Sequence, residues 1–397
     1  MTIELMRENL CTITENLKSA HAGLLMQRGL RQWEDGEKPI KKKLILDISS
    51  VRPDNLYLLA FNRWLNTTYD KTTFATLSAT IDGRLFTGLL LGGTLETGAM
   101  THHSYGMPMI AGSSIKGAVR HYTEHLFAQR DDDNQIQYDK DGKVIIQSGK
   151  QNVLDILFGT DSDDDNADAG YLIWHDAWWI PQITGDGKLA IDKNKPFTSE
   201  IVTVHHQQYY NGDLSEALDI ENPTPNQQIA IQGSFYFVIE GESRWAKFAQ
   251  MLLQDMLVEQ GMGAKGSNGY GYFNIGSDKI KPYLQAFEQQ KEQVERALKA
   301  EALEQATVNL NDNQKLIYTF SQKLNDLGEQ WKKNVNQAYS IEIDGKPYWF
   351  NTLFTLVKSW NRDDQVYAIN ELFTKYQKHL SKKMQANVKE LKKELGI

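Results

Sequence analysis

The pattern of apolar and polar positions changes character three times along the chain. Over the first 70 residues it has helical spacing. "NLKSAHAGLLMQRGLRQW" places Leu17, His21, Leu24, Leu25 and Met26 near one face, and "PDNLYLLAFNRWLNTTY" repeats the pattern after a Pro-Asp start. The basic stretch "KPIKKK" (38–43) between them reads as a solvated linker, with RNA contact as the alternative. From Phe74, "FATLSATIDGRLFTGLLLGGTLETG" alternates and carries glycines at its breaks, which predicts strands. Ser113 to Phe127 returns to helical spacing at Ile115, Val119, Tyr122 and Leu126, with Ser113 or Ser114 as the N-cap. Residues 129–169 are polar, acidic and weakly patterned, an insertion with one apolar patch at "VLDILFG".

Three extended segments follow: "GYLIWHDAWWIP", "FTSEIVTVHHQQYYNG" and "QIAIQGSFYFVIEG", the last with the cleanest alternation. "SRWAKFAQMLLQDMLVEQG" is an amphipathic helix with a Ser243 cap and Gly261 past its end, and "GYGYFNI" is a strand. Residues 280–397 are rich in Gln, Lys, Glu, Ala and Leu with helical runs, interrupted by a hairpin-like "YSIEIDGKPYWF" turning at Asp344-Gly345. No repeat of fixed period is visible. Strand, helix, two strands, helix, strand is the order of the ferredoxin-like βαββαβ unit, an α+β fold. RNA-recognition domains share it, with a sheet face free to bind single-stranded RNA. The expected organisation is a helical segment at 1–72, a ferredoxin-like (RRM-like) domain at 73–279 with insertion 129–169, and a mainly helical extension at 280–397.

Composition narrows the classes. The 397 residues carry one cysteine, Cys11, which excludes an internal disulfide and a cysteine-rich zinc site. No run of eighteen apolar residues and no signal-peptide layout are present, so a soluble cytoplasmic protein without membrane contact is expected. Net charge is −8, with 25 Lys+Arg against 36 Asp+Glu up to residue 280 and 18 against 15 beyond it. That balance argues against non-specific nucleic-acid binding. The clusters "RDDDNQ" and "GTDSDDDNADAG" lack the ligand spacing of a calcium loop and read as solvated loops.

Two constellations carry candidate chemistry. In "THHSYGMPMIAGSSIKGAVR", Gly112, Ser113, Ser114, Lys116 and Gly117 enter a helix, and Arg120 lies one turn beyond Lys116. A helix N-terminus with hydroxyls and cations suits phosphate; the plain alternative is an ordinary capped helix. In "GMGAKGSNGYG", Gly261, Gly263, Gly266, Gly269 and Gly271 permit close backbone approach, and Lys265, Ser267 and Asn268 offer donors. Gly261-x-Gly263-x-x-Gly266 has the spacing of a dinucleotide turn, but it follows a helix and precedes a strand, so that reading fails. His102 and His103, or His205 and His206 before Tyr209 and Tyr210, can serve acid–base chemistry on a ribose 2′-hydroxyl or a metal; packing and surface roles compete. Asp176 in "WHDAWW" reads first as a residue orienting its loop by side-chain-to-backbone bonding, with help in RNA cleavage as the alternative. No cofactor and no metal are expected.

"TLETGAMTHHSYGMPMIAGSSIKGAVRHY", "LFG", "AGYLIWHDAW", "VHHQQYY" and "GMGAKGSNGYG", in this order, resemble the CRISPR-associated RAMP superfamily. Within it they are most similar to the sixth RAMP subunit of the type III-B (Cmr) effector complex, over about residues 85–275 without the insertion. The resemblance implies a RAMP core of ferredoxin-like fold, with crRNA contacts on the Gly112–Gly117 segment and the Gly261–Gly271 loop. It implies a non-catalytic subunit in antiviral defence, capping the filament toward the crRNA 3′ end. Implied partners are crRNA, target RNA, the repeating backbone subunit, a neighbouring RAMP cap subunit and the small helical subunit. Two alternatives stand beside it: a metal-independent RNA endonuclease using His102 or His103, and a bridging subunit without RNA contact.

Overall fold

The computed structural model describes residues 2–7, 17–34, 38–69, 71–160, 168–204, 209, 212, 215–216, 224–328 and 340–397. The chain divides into two compact units, residues 1–287 and 288–397.

In the first unit, β1 (Thr2–Glu4) pairs antiparallel with β2 (Gln32–Glu34), and α1 (Ala22–Arg28) lies between them. The predicted first helix is thus only seven residues long. His21 Nδ1 accepts the Leu24 N–H at its start, Gly29 closes it, and Leu24 faces solvent while Leu25 and Met26 are buried. α2 (Lys38–Ser49) replaces the expected linker, because Leu44, Ile45 and Ile48 give this stretch a face to bury. α3 (Asn55–Thr68) starts where the Pro-Asp pair predicts, with Asp54 Oδ1 accepting the Tyr57 N–H at 2.9 Å.

The sheet begins with β3 (Phe74–Asp82), in which Ala75, Leu77, Ala79 and Ile81 are buried in alternation. The strand character predicted beyond it stops at Asp82: Leu89–Leu95 is two tight 3₁₀ turns broken at Gly93 (φ 54°) and flanked by left-handed Gly88 and Glu96. Then come β4 (Met109–Ile110), α4 (Gly112–Leu126), α5 (Gln151–Phe158), β5 (Ile173–Trp174) and β6 (Ala177–Trp179). β7 (Phe197–Val204) and β8 (Thr224–Ile231) form a separate antiparallel pair, followed by β9 (Ser234–Glu240), α6 (Ser243–Glu259) and β10 (Tyr272–Asn274). The main sheet runs β10-β3-β9-β6-β4, with every neighbouring pair antiparallel. With β3, β6, β9 and β10 as first to fourth strands and α4 and α6 as the helices, this is the ferredoxin-like unit in order 4-1-3-2.

Three local expectations change. "QIAIQGSFYFVIEG" is two strands in two sheets: Gly233, at φ 105°, turns the corner, and an added Cβ there would meet Trp179 Nε1 at 2.6 Å. α6 is capped by Glu242, whose carboxylate accepts the Arg244 and Trp245 N–H groups, not by Ser243. The insertion is patterned: Ala128, Arg130 and Tyr138 bridge to Ile146, Ile136 and Val144. Its turns repeat eight residues apart, with Asp131 Oδ1 accepting from Asp133 N and Gln135 N, and Asp139 Oδ1 from Asp141 N and Lys143 N. Asp131 and Asp139 thus fold their own turns, and residues 161–167 of the second acidic cluster lie outside the described residues.

The sheet face expected to lie free is covered. Phe235, Phe237 and Ile239 of β9 join the core beneath α4 and α6, while Tyr236 and Val238 on the other face meet Leu58, Phe61 and Leu65 of α3. Tyr57 Oη donates to the Trp179 carbonyl at 2.6 Å, and Thr68 Oγ1 bonds Tyr236 Oη at 3.1 Å. The apolar stripe of α3 has to be buried, and this face accepts it. RNA binding in the manner of an open RRM sheet is thereby excluded for this face.

The second unit is helical, as predicted. Beyond α7 (Lys281–Thr307) come α8 (Asp312–Asp326), β11 (Ile341–Ile343), β12 (Lys346–Tyr348), α9 (Phe350–Lys358), α10 (Arg362–Ala368) and α11 (Lys382–Leu395). Asp344 and Gly345, at φ 51° and 73°, form the two-residue turn of β11–β12. The core gathers Phe320, Leu353 and Phe373, and one carboxylate, Asp364, is 1% exposed.

Candidate nucleic-acid interface

The glycine loop links α6 to β10 and is tied down along its flanks. Met262 N–H donates to the Gly271 carbonyl at 2.9 Å, Ala264 N–H to Phe86 at 2.8 Å, and Gly271 N–H to Arg84 at 2.9 Å. Gly263 and Gly271 have φ of 91° and 85°, and a Cβ on Gly263 would sit 2.5 Å from the Phe86 carbonyl oxygen. These glycines let the loop lie against the segment after β3. Gly266 and Gly269 differ, since a Cβ on either meets nothing within 4 Å. Lys265 itself is left-handed, at φ 65°, and opens the short turn Gly266–Asn268 that carries Ser267 and Asn268.

On the other side stands α4. Its cap is Ala111, without a side-chain bond, so Ser113 and Ser114 lie inside the first turn and are exposed rather than capping. The capping carboxylate comes from across the sheet: Asp176 Oδ1, in the break between β5 and β6, accepts the Gly112 N–H at 2.7 Å. A charged acceptor already occupies one amide of this tip, so the helix dipole is partly answered and a phosphate here depends on side chains. At 100° per residue, Ser114 and Ala118 share one flank while Lys116 and Arg120 lie on the opposite one. Arg120 Nε is paired with Glu124 at 2.7 Å. Gly117 is exposed in the helix interior, where its Cβ would meet nothing, at a cost of about 0.5–1 kcal/mol relative to Ala.

The two constellations meet in one cleft of about 510 Å³, walled by Ala111 at the cap of α4, by Ser114 and Ala118, by Met262–Ala264, and by Phe86–Leu89 and Leu91. Its lining is mostly apolar. Thr87 and Ala118 were not legible as site residues; Ala118 follows Ser114 by one turn, the only local signal. His121 and His125, with rings 4.2 Å apart, continue that row.

The histidines divide. His102 packs 4.7 Å from both Tyr105 and Trp178, and its Nδ1 accepts the Ser104 N–H at 3.2 Å. Burial in this nest pulls its pKa below the ordinary histidine value, against the opposing pull of Asp176. His103 is exposed, and its carbonyl accepts from His21 Nε2 at 2.7 Å. The pair 205–206 and Tyr210 lie outside the described residues; Tyr209 is exposed. Among the described residues no group of three or more His, Cys, Asp or Glu is placed to hold a metal, and no helix is long and apolar enough to cross a membrane.

An α+β unit of ferredoxin-like topology, with a glycine-rich loop before its last strand, is the class these features define. Residues 79–274 match the family model of the RAMP superfamily, and this part of the chain belongs to that superfamily. A search of curated proteins found no match. Among solved structures, the chain is similar to one in the type III-B Cmr-beta assembly bound to cognate target RNA (18% identity, 68% of this chain and 86% of that chain, TM-score 0.42). It is also similar to Cmr6 from Pyrococcus furiosus (21%, 50% and 97%, TM-score 0.29) and to a chain of a CRISPR RNA-guided surveillance complex (14%, 50% and 65%, TM-score 0.28).

Proposed function

We propose that this chain is a guide-RNA-binding subunit of a type III-B CRISPR effector complex, capping its RAMP filament toward the crRNA 3′ end and binding neighbouring RAMP and small helical subunits. The observation that carries the reading is the meeting of the glycine loop and the first turn of α4 in one cleft inside the RAMP segment. A strand crossing Ser113, Ser114 and Gly117 meets no bulky side chain at the centre of its path. It has Lys116 on one flank and the cleft on the other. Lys265, Ser267 and Asn268 stand on the loop beyond.

The reading is non-catalytic. His102 is held in an aromatic nest with one nitrogen engaged, which favours positioning of the loop over acid–base work. The test is the salt dependence of RNA affinity. Lys265→Ala and Lys116→Ala each lower the slope of log affinity against log salt by about one phosphate contact. Slopes equal to that of the unaltered chain would remove both lysines from the RNA path.

A further inference from the structure

We propose that the outer face of α11, in the second unit, is a further RNA-binding surface that follows the phosphates of a single strand without reading its bases. It lies outside the family match, and it rests on the RNA-binding reading above only for the choice of RNA among polyanions. In a chain of net charge −8, residues 375–397 hold seven lysines against two glutamates. Met384, Val388, Leu391 and Leu395 bury one side of α11. Opposite them, the exposed Lys382, Lys389 and Lys393 fall on a line about 40° wide and about 16 Å long, beside the small Ala386. Glu390 and Glu394 stand off this line, on one flank.

Ordinary helix chemistry explains part of this charge. Lys392 and Lys393 are in the last turn, where cations answer the negative end of the dipole. Lys382 and Lys383 are the reverse case: they follow the Ser381 cap directly, at the positive end, and no acidic residue shares that turn. Among the described residues, the lysine and arginine ion pairs of this unit engage Arg296, Lys299 and Lys375, and no lysine of α11. The exposed stretch 288–307 of α7 is the contrast, with three cations against five glutamates and Arg296 paired to Glu292 at 3.3 Å. Like charges set in a row repel one another, and a row of phosphates relieves that repulsion.

The same chemistry selects among partners. A protein interface gathers aromatic and apolar anchors and is poor in lysine. A membrane-surface helix needs a free apolar face, and that of α11 lies in the core. Lysine is a point charge without the planar fork that reads a base edge, so this face binds backbone and is indifferent to sequence.

The experiment uses the full chain and a single-stranded RNA oligonucleotide, with affinity measured over a range of salt concentrations. The triple variant Lys382→Gln/Lys389→Gln/Lys393→Gln lowers the slope of log affinity against log salt by about two, at roughly 0.7 for each phosphate contact on a single strand. Lys382→Arg/Lys389→Arg/Lys393→Arg retains the slope. The glutamine variant keeps its denaturation midpoint, since all three side chains are exposed and one cation leaves the positive end of the helix. An unchanged slope in that variant overturns the proposal, whatever Lys116→Ala and Lys265→Ala do. A slope that falls there while those two variants leave it unmoved keeps this surface and removes the two lysines of the RAMP segment. A chain that binds no RNA overturns both readings. Duplex DNA held more tightly than RNA through the same lysines overturns the choice of ligand. Lost binding of a partner protein at unchanged RNA slope assigns the face to an acidic protein surface and overturns the proposal.

Discussion

Gly271→Ala lowers the stability of the first unit by about 3 kcal/mol, measured as a shift of the denaturation midpoint at unchanged slope. Gly271 has φ 85°, and an added Cβ would fall against the Met262 carbonyl oxygen. Both residues are held in place, because the Met262 N–H donates to the Gly271 carbonyl and the Gly271 N–H donates to the Arg84 carbonyl. Gly266→Ala is the contrasting case. It needs no left-handed backbone and its Cβ meets open space, so stability changes by less than ~0.5 kcal/mol. Its RNA affinity falls, because the added methyl stands where the backbone is expected to approach. A Gly271→Ala protein as stable as the original would show that the loop is not built on these bonds. Unchanged RNA affinity in Gly266→Ala would move the RNA elsewhere.

Asp364→Ala lowers the stability of the second unit by about 3 kcal/mol. Its carboxylate accepts the side-chain amides of Asn311, Asn313, Gln314 and Asn361 at 2.7–3.0 Å, and Asn311 and Asn361 are the caps of α8 and α10. Burial opposes the charge, but the four amide donors outweigh it and hold the carboxyl below its usual value. The folded pKa is depressed, so this stabilisation is complete above the unfolded value near ~3.9 and is lost as pH falls through the lower folded value. Asp364→Asn is less stable at neutral pH and loses less on acidification. Hydrogen exchange of peptides from α8 and α10 reads both effects; equal acid sensitivity of the two proteins would rule this carboxylate out as the titrating group.

How much was legible depended on range. β3 was readable because its alternation is local, and the Asp344-Gly345 turn because its chemistry is confined to two residues. The corner at Gly233 was not, since Gln232-Gly233 continues the alternation and the bend is fixed by Trp179, far away in sequence. The covered sheet face had a signal in plain view. Phe235 to Ile239 are apolar without interruption, the mark of a strand buried on both sides rather than of a half-exposed one. Both candidate elements are recognisable as motifs. Their shared cleft is not, because it needs β10 to pair with β3 and Ala264 to bind Phe86. Asp176 caps a helix whose first residue, Gly112, lies 64 positions away, a partner that its own neighbours in sequence do not indicate.

The α3 lid sets where the chain can be cut. A fragment trimmed to the family match at 79–274 would lose α3 and the first five residues of β3 while keeping Ile180, Tyr236 and Val238. Those side chains would then form a wet, greasy patch on an otherwise finished sheet, and the fragment is expected to precipitate or self-associate on a sizing column. Conservation of a motif and autonomy of folding have different borders in this polypeptide, and expression plasmids should follow the second.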